Sequence, residues 1–237
     1  MSFFVVFSAV CLTLVSVTYI IGERVNDIGK GGEKDVFASP DERMTIIIDA
    51  GHGGLDGGAM TEDGVLEKHL NLSVAKKVER ILRLADVNVV MTREDDVMLA
   101  DESSKHKKQD DLNARLHAAD AYEKCVFVSI HMNKFPVEKY SGLQVYYSKN
   151  NSESKLFADA IQEKTVAVLQ SDNARLTKAA DSAIYILNNI KVPAVLVECG
   201  FLSSKAEALL LQEEVYQEKL AAVISCAVLD VIASQTQ

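Results

Sequence analysis

Residues 44–54, with the sequence MTIIIDAGHGG, decide the fold of this chain. The run Met44–Ile48 is short, apolar and β-branched, which is typical of a buried strand. It leads into a glycine-rich turn that carries one histidine, His52. Apolar residues then recur at helical spacing, as Leu66, Leu70, Val74, Val78 and Ile81-Leu82. The sequence therefore predicts a strand, a glycine turn and an amphipathic helix in succession.

The alternation of strand and helix continues from this unit to the C-terminus. Residues 94–111 are strongly charged and are predicted to form a loop. Further strands are predicted at Val87–Met91, Val126–Ile130, Leu143–Tyr147, Ile184–Leu187 and Ala194–Val197, and further helices at Leu112–Ala121, Glu153–Leu169 and Glu214–Ile232. Strands alternating with helices indicate an α/β domain. We expect one domain with a mostly parallel, mixed sheet that is covered by helices on both faces.

The composition of the 237 residues excludes several classes of protein. Hydrophobic residues make up 48% of the chain, which is enough for a sizeable core. The formal net charge is −9 and Trp is absent, so no nucleic-acid-binding surface is expected. The four cysteines are far apart, which argues against a disulfide framework or a cysteine zinc cluster. Cys199 adjoins Glu198, but its neighbours supply no obvious base to activate a nucleophile.

The N-terminal segment has the pattern of a membrane anchor. Phe3–Ile21 is a run of 19 uncharged residues, long enough as a helix to cross a hydrocarbon core of about 30 Å. No basic residue precedes it and no clean small-x-small site ends it, so an uncleaved anchor is favoured over a cleaved export signal. Residues 22–43 mix glycine with charged residues, as a flexible linker does. We expect three parts: anchor 1–21, linker 22–43 and an extracytoplasmic domain 44–237.

Four polar residues are predicted to meet at one edge of the sheet. His131 and Glu198 come directly after predicted strands, His52 lies in the glycine-rich turn into which the first strand runs, and Glu67 opens the first helix. Sites in open α/β sheets form where strands end at their carboxyl side. Two histidines with one carboxylate are a common catalytic zinc set, and a second carboxylate is then wanted to move a proton.

Each of these residues also has an ordinary structural interpretation. A histidine after a strand is often a hydrogen-bonded turn residue, and a glutamate that opens a helix is favourable to the helix dipole. A glutamate after a buried strand often forms a salt bridge. A phosphate-binding loop is a weaker alternative, because neither G-K-[ST] nor G-x-G-x-x-G is present. From the residues alone, the joint occurrence favours a site without deciding it.

A family resemblance rests on five motifs that occur in order from residue 44 to the end. They are Ile48–Gly54 followed by Glu67-Lys68, Thr92–Asp96, Arg115, Ser129–Asn133 and Val197–Ser203. Together they resemble the zinc N-acetylmuramoyl-L-alanine amidases called Amidase_3. Members hydrolyse the amide between the lactyl group of N-acetylmuramic acid and L-alanine of the peptidoglycan stem peptide.

The resemblance implies roles for individual residues. His52, Glu67 and His131 would be the zinc ligands, and Glu198 the catalytic carboxylate. Arg115 would either pack in the helix before the His131 strand or stabilise the polarised carbonyl oxygen. An ordinary arginine on a helix surface is its plain alternative. Ala50 stands where many members carry proline, which affects the stiffness of the loop and not the chemistry.

Within the family the chain looks most like the germination-specific amidases of the spore cortex. It has one anchor and one domain, a charged insert at Leu99–Asp111, and a stretch at Tyr140–Tyr147 that leaves no room for an autoinhibitory helix. The resemblance implies action on cortex peptidoglycan as the first step towards muramic-δ-lactam, in the intermembrane space of the forespore. An accessory lipoprotein and a downstream muramic-acid deacetylase are the implied partners. A vegetative autolysin of the same chemistry and a non-catalytic wall-binding protein are the alternatives.

Overall fold

The computed structural model describes residues 44–101 and 103–235, so the predicted anchor and linker lie outside the described residues. The strands are β1 (Thr45–Ala50), β2 (Asn88–Met91), β3 (Cys125–Asn133), β4 (Gln144–Tyr147), β5 (Lys178–Ala179) and β6 (Ala194–Phe201). The helices are α1 (Glu67–Leu84), α2 (Lys107–Asp120), α3 (Ser154–Val168), α4 (Tyr185–Asn189), α5 (Lys205–Gln212) and α6 (Glu214–Gln235). In the described part of the chain, no helix combines the length and apolarity needed to cross a membrane.

The strands form one mixed sheet in the order β2-β1-β3-β6-β4-β5. Strands β2, β1, β3 and β6 are parallel, β4 runs antiparallel to β6, and β5 is parallel to β4. The predicted α/β domain with a mixed, mostly parallel sheet is confirmed. Because β1, β3 and β6 end at the same edge, the residues that follow or close them are brought together there.

Helices cover both faces of the sheet, as the continuous apolar strands require. Ile46 and Ile48 of β1 point to the face that packs against α1, α3 and α6, whereas Ile47 points to the face of α2 and α4. Helix α1 contributes a fully or nearly fully buried stripe with the spacing that the sequence predicts, namely Leu70, Val74, Val78 and Leu82. Each buried side chain of this kind is worth about 1.5–3 kcal/mol, and the stripe therefore fixes α1 beside β1.

Two of the predicted elements are wrong, for local reasons. Helix α2 begins at Lys107, inside the predicted loop 94–111, because its first turn is entirely polar and gives no apolar periodicity. The predicted strand Ile184–Leu187 is the short helix α4, closed by a bond from the Ile190 N–H to the Ile186 carbonyl at 2.9 Å. A four-residue apolar run is compatible with either element. Helix α5 and strand β5 were not predicted.

Candidate metal centre

The turn after β1 holds His52 in an unusual backbone conformation. His52 has φ of 61°, in the left-handed region that residues other than glycine seldom adopt. Its carbonyl accepts a bond from Arg115 Nη2 at 2.7 Å, and its ring Nδ1 lies 3.0 Å from Asp56 Oδ2. These two contacts hold the backbone and the side chain of His52, and they leave its ring Nε2 directed towards Glu67.

Glu67 is positioned by the loop that precedes α1. The helix has no side-chain cap; instead the N–H groups of Glu67 and Lys68 bond to the carbonyls of Ala59 (2.8 Å) and Gly57 (3.2 Å). Glu67 is 3% exposed, and its carboxylate accepts a hydrogen bond from the Ala59 N–H at 2.8 Å. The first turn of a helix also favours an acidic residue electrostatically.

His52, Glu67 and His131 meet as a cluster of three potential ligands. Glu67 Oε2 lies 3.3 Å from His52 Nε2, and Glu67 Oε1 lies 2.9 Å from His131 Nδ1. The three ligand atoms are all within 4.8 Å of one another. The expectation that these residues converge at the sheet edge therefore agrees with the geometry.

Two glycines allow this close approach. A Cβ atom on Gly51 would lie 2.2 Å from His131 Nε2. A Cβ atom on Gly58, whose φ is +66°, would lie 2.5 Å from Glu67 Oε2. Both separations are far inside van der Waals contact. The glycines of the turn are thus needed to give the two ligand side chains their space.

The charges in the cluster compensate one another. Burial alone would raise the pKa of Glu67, but the hydrogen bonds and charges of His131 and His52 hold it far below its usual range. Burial alone would lower the pKa of His52, but Glu67 and Asp56 raise it to about 9. Without a metal, the cluster therefore holds a proton tightly on His52. A divalent cation bound by the same side chains would have to displace that proton, so the proton and the cation compete.

Asp56 is a site residue that the sequence analysis missed. One carboxylate oxygen of Asp56 faces His52 Nδ1, and the other accepts a hydrogen bond from the Gly58 N–H at 3.1 Å. Metal-binding histidines generally pair their second nitrogen with a carboxylate or carbonyl, which fixes the ring and its tautomer. The available signal was an aspartate four residues after the histidine in the same glycine-rich loop.

Glu198 stands opposite His131 in the register of β3 and β6. Its residue is half-buried, and its Oε2 atom is fully buried with no hydrogen-bond partner among the described residues. Burial raises the pKa of Glu198 to about 7, and the negative charge of Glu67 adds to this against the histidines. A buried carboxylate oxygen without a partner is costly. Its place beside the cluster indicates a group that meets a ligand rather than one that holds the fold.

Arg115 lies in the scaffold under the His52 turn, which is the packing role that the sequence analysis gave as one of its two alternatives. The side chain is 2% exposed. It donates to Asp111 Oδ2 (2.8 Å), Asp49 Oδ1 (2.6 Å) and the carbonyls of Ala50 (2.9 Å) and His52 (2.7 Å). Four of its five N–H donors are used in this way, so the geometry favours a positioning role under the turn.

Asp49 and Arg93 complete that scaffold. Asp49 is fully buried and also accepts bonds from the hydroxyls of Ser129 (2.6 Å) and Thr92 (2.7 Å). Burial would raise its pKa, but Arg115 and these hydroxyls lower it, so it stays ionised. Arg93 donates to the carbonyls of Ala50, Gly51 and Lys68. The Thr92–Asp96 and Arg115 motifs thus support the turn that carries His52.

Cys199 does not take part in the site. Its residue is fully buried, on the side of the sheet that packs against α1, α3 and α6. Burial raises the pKa of its thiol, together with the nearby charge of Glu198. It therefore lacks the thiolate character of a nucleophile.

Comparisons with known proteins agree with the motifs. The family model Amidase_3, described as N-acetylmuramoyl-L-alanine amidase, matches residues 46–230. The germination-specific N-acetylmuramoyl-L-alanine amidase of Bacillus subtilis is 37% identical over 182 residues, which are 76% of this chain and 76% of that protein. The N-acetylmuramoyl-L-alanine amidase LytC of the same species is 32% identical over 182 residues, 76% of this chain and 34% of that protein.

A solved structure matches the fold over most of the chain. The CwlD amidase from Clostridioides difficile, in complex with the GerS lipoprotein, aligns with a TM-score of 0.77 and 38% identity. The match covers 80% of this chain and 98% of that one. The family resemblance seen in the motifs is confirmed.

Proposed function

The chain belongs to the Amidase_3 family of N-acetylmuramoyl-L-alanine amidases, and on that premise we propose that it is a zinc-dependent hydrolase of peptidoglycan. The bond cleaved is the amide between the lactyl group of N-acetylmuramic acid and L-alanine of the stem peptide. The observation that carries the proposal is the unpartnered Oε2 atom of Glu198 beside the cluster of His52, Glu67 and His131. A free carboxylate oxygen next to a set of metal-binding side chains suits a metal hydrolase better than a binding protein.

The cluster has the donor set that zinc prefers. Two imidazole nitrogens and one carboxylate are the protein ligands of a common class of catalytic zinc sites. When bound, zinc would polarise the carbonyl oxygen of the amide and lower the pKa of a water molecule to about 7. His52, Glu67 and His131 would hold the ion, while Asp56 keeps the His52 ring turned towards it.

Glu198 would carry the proton. A general base works best when its pKa lies near the working pH, and burial raises the pKa of Glu198 to about 7. In the proposed reaction, the Glu198 carboxylate takes a proton from the attacking water. It then delivers that proton to the alanine nitrogen as the C–N bond breaks, so that the products are a free lactyl carboxylate and a peptide with a free amino terminus.

The direct test is hydrolysis of purified peptidoglycan by the full-length chain with added zinc. We expect mass spectrometry to detect stem peptides that begin with a free L-alanine amine, and glycan strands with bare lactyl groups. Removal of zinc with EDTA should stop the reaction, and added zinc should restore it. Binding to peptidoglycan without any release of peptide would instead support the non-catalytic alternative.

We further propose that the biological substrate is spore cortex. The similarity to a germination-specific amidase and to the CwlD structure supports this. Peptide removal would precede the muramic-acid deacetylase that leads to muramic-δ-lactam. A lipoprotein partner is proposed by analogy with the GerS lipoprotein bound to CwlD. Deleting the gene should give spores without muramic-δ-lactam while vegetative cells grow normally; normal lactam in the mutant would point to the vegetative autolysin.

The location is proposed to be outside the cytoplasm, on a membrane anchor. The support is the uncharged run Phe3–Ile21, which has the length of a bilayer-spanning helix. Fractionation of cells should find the full-length chain in membranes, and external protease should digest its domain. A chain with an intact N-terminus in the soluble fraction would contradict the anchor.

A further inference from the structure

A cleft of about 310 Å³ is lined in part by residues of the strands that neighbour Glu198 in the sheet. Gln144, which lines it, stands directly opposite Glu198 in the antiparallel pairing of β4 with β6. Asn133, which also lines it, lies two residues beyond His131 on β3. The cleft therefore leads away from the metal centre along the β4 side of the sheet, where one arm of a bound substrate would have to lie.

Arg175 is fixed in the wall of this cleft with part of its guanidinium unused. Its Nε donates to the Ser141 carbonyl at 2.6 Å and its Nη1 donates to Gln144 Oε1 at 3.1 Å. Its guanidinium carbon lies 4.4 Å from the centre of the Phe201 ring. Within the described residues Nη2 has no hydrogen-bond partner, and no carboxylate lies within ion-pair distance. Glu207 is close enough to interact electrostatically with Arg175, but its two carboxylate oxygens accept hydrogen bonds from the backbone N–H groups of Gly142 and Phe201.

A second cation faces the same cleft. Lys178 pairs in register with Tyr146 across β5 and β4, so the two side chains share a face of the sheet, and both line the cleft. Lys178 is exposed, and it forms no ion pair in the part of the chain that the structure describes. Unpaired cations at one cleft of a chain with net charge −9 indicate an anionic ligand rather than a general surface charge.

We propose that this cleft binds the stem peptide, and that Arg175 pairs with the free α-carboxylate of its second residue. The proposal rests on the amidase function above. In peptidoglycan, that second residue is D-glutamate linked onward through its γ-carboxyl group, and its α-carboxyl is either free or amidated. Directly opposed residues of an antiparallel pair lie about 5 Å apart and extended peptide advances about 3.3 Å per residue. Arg175, bonded to Gln144, is therefore within two or three residues of Glu198.

Arg175 thus becomes a specificity residue that distinguishes carboxylate from carboxamide. A guanidinium fixed by two other bonds loses little freedom when it pairs with a carboxylate. A carboxamide carries no charge for it, and the charge-assisted bond is lost. Lys178 would add attraction for the following carboxylates of the peptide without fixing their geometry.

The test compares two synthetic muramoyl tripeptides that differ only at this group, free D-glutamate α-carboxylate against α-carboxamide. With the full-length, zinc-loaded chain, we expect kcat/KM to favour the carboxylate by roughly 10- to 100-fold. Arg175→Gln should abolish this preference, mainly by raising KM on the carboxylate substrate. Arg175→Lys, which keeps the charge, should retain part of the preference. The matched control is Arg80→Gln, at an exposed arginine of α1 that pairs with Glu218.

The outcomes separate the subsite from the proposed function. Equal cleavage of both substrates by the unmodified chain overturns the subsite and leaves the amidase function standing. An equal loss on both substrates in Arg175→Gln also overturns it, because Arg175 would then act only by supporting Gln144. Binding of the two tripeptides by calorimetry gives a readout without catalysis. Carboxylate-dependent binding with no cleavage would support the subsite and overturn the amidase function.

Discussion

Replacing Glu198 by glutamine separates its catalytic use from its structural cost. The substitution keeps the volume of the side chain and removes the oxygen that accepts a proton. General acid–base help is typically worth 10²–10⁴-fold in rate, so kcat for release of L-alanyl peptide should fall by about that factor. Zinc content, measured by atomic absorption, should remain that of the unmodified chain, because Glu198 is not one of the proposed ligands.

The same substitution should change how stability depends on pH in the metal-free protein. Burial raises the pKa of Glu198 from 4.5 to about 7, so between these values the folded protein retains a proton that the unfolded chain has lost. Stability therefore falls as pH rises through this window, by a total of about 3 kcal/mol. Glu198→Gln has no proton to lose at this position. Its stability relative to the unmodified chain should rise by about 3 kcal/mol between pH 4 and pH 8.

The assay is urea unfolding in EDTA at both pH values, alongside the rate measurement with zinc. The pH-independent cost of burying an amide cancels in this comparison. The matched control is Glu123→Gln, an exposed glutamate before β3 at the opposite end of the sheet, which should change neither quantity. Full activity of Glu198→Gln would mean that another group moves the proton. A relative stability that does not vary with pH would refute the assignment of the titration to Glu198.

Three further predictions concern the groups around it. Glu67→Ala should lose zinc and activity together, measured by metal analysis and peptide release; retention of zinc would exchange the roles of the two glutamates. Asp56→Asn should weaken zinc about 10- to 100-fold in a competition titration with a chelator, and unchanged affinity would remove Asp56 from the support of the metal centre. Arg115→Met leaves Asp49 buried without its partner and should cost about 3–5 kcal/mol in urea unfolding. Adding Asp49→Asn should recover part of this loss, and a simply additive double variant would contradict the buried pair.

The parts of the fold that the sequence predicts are those in which local pattern and tertiary environment agree. The apolar run of β1 and the stripe along α1 have one good solution each, since both faces of the sheet must be covered. At the start of α2 and at α4, the local sequence pattern does not indicate the structure that the chain adopts. The chain enters α2 through polar contacts, including the bond from the His106 N–H to Ser104 Oγ at 2.9 Å, and such contacts produce no apolar periodicity in the sequence.

The candidate site divides in the same way. Convergence of His52, His131 and Glu198 follows from strand direction alone, because parallel strands end at one edge. The tasks of Asp56 and Arg115 depend on how a glycine turn folds back on itself over several residues, and no periodic pattern encodes that. The role of Arg175 is harder to predict, because its position depends on the bend between α3 and β5. Strand β5 has only two residues and gives no recognisable pattern in the sequence.

The two glutamates at the centre have pKa values shifted in opposite directions because their hydrogen-bond partners differ. Glu67 faces both histidines and accepts bonds from the Ala59 and Met132 N–H groups and from Asn71. Each of these stabilises the anion, so Glu67 stays charged and suits a cation.

Glu198 has a buried oxygen, Oε2, with no such bond. Burial raises its pKa to about 7, and the negative charge of Glu67 adds to this rise. It therefore gains and loses a proton near neutral pH. Two carboxylates whose environments push their pKa values apart can divide binding and proton transfer between them. In this chain the division follows from where donors are present. The loop before α1, strand β3 and α1 itself each supply one to Glu67, whereas none of the described donors reaches Oε2 of Glu198.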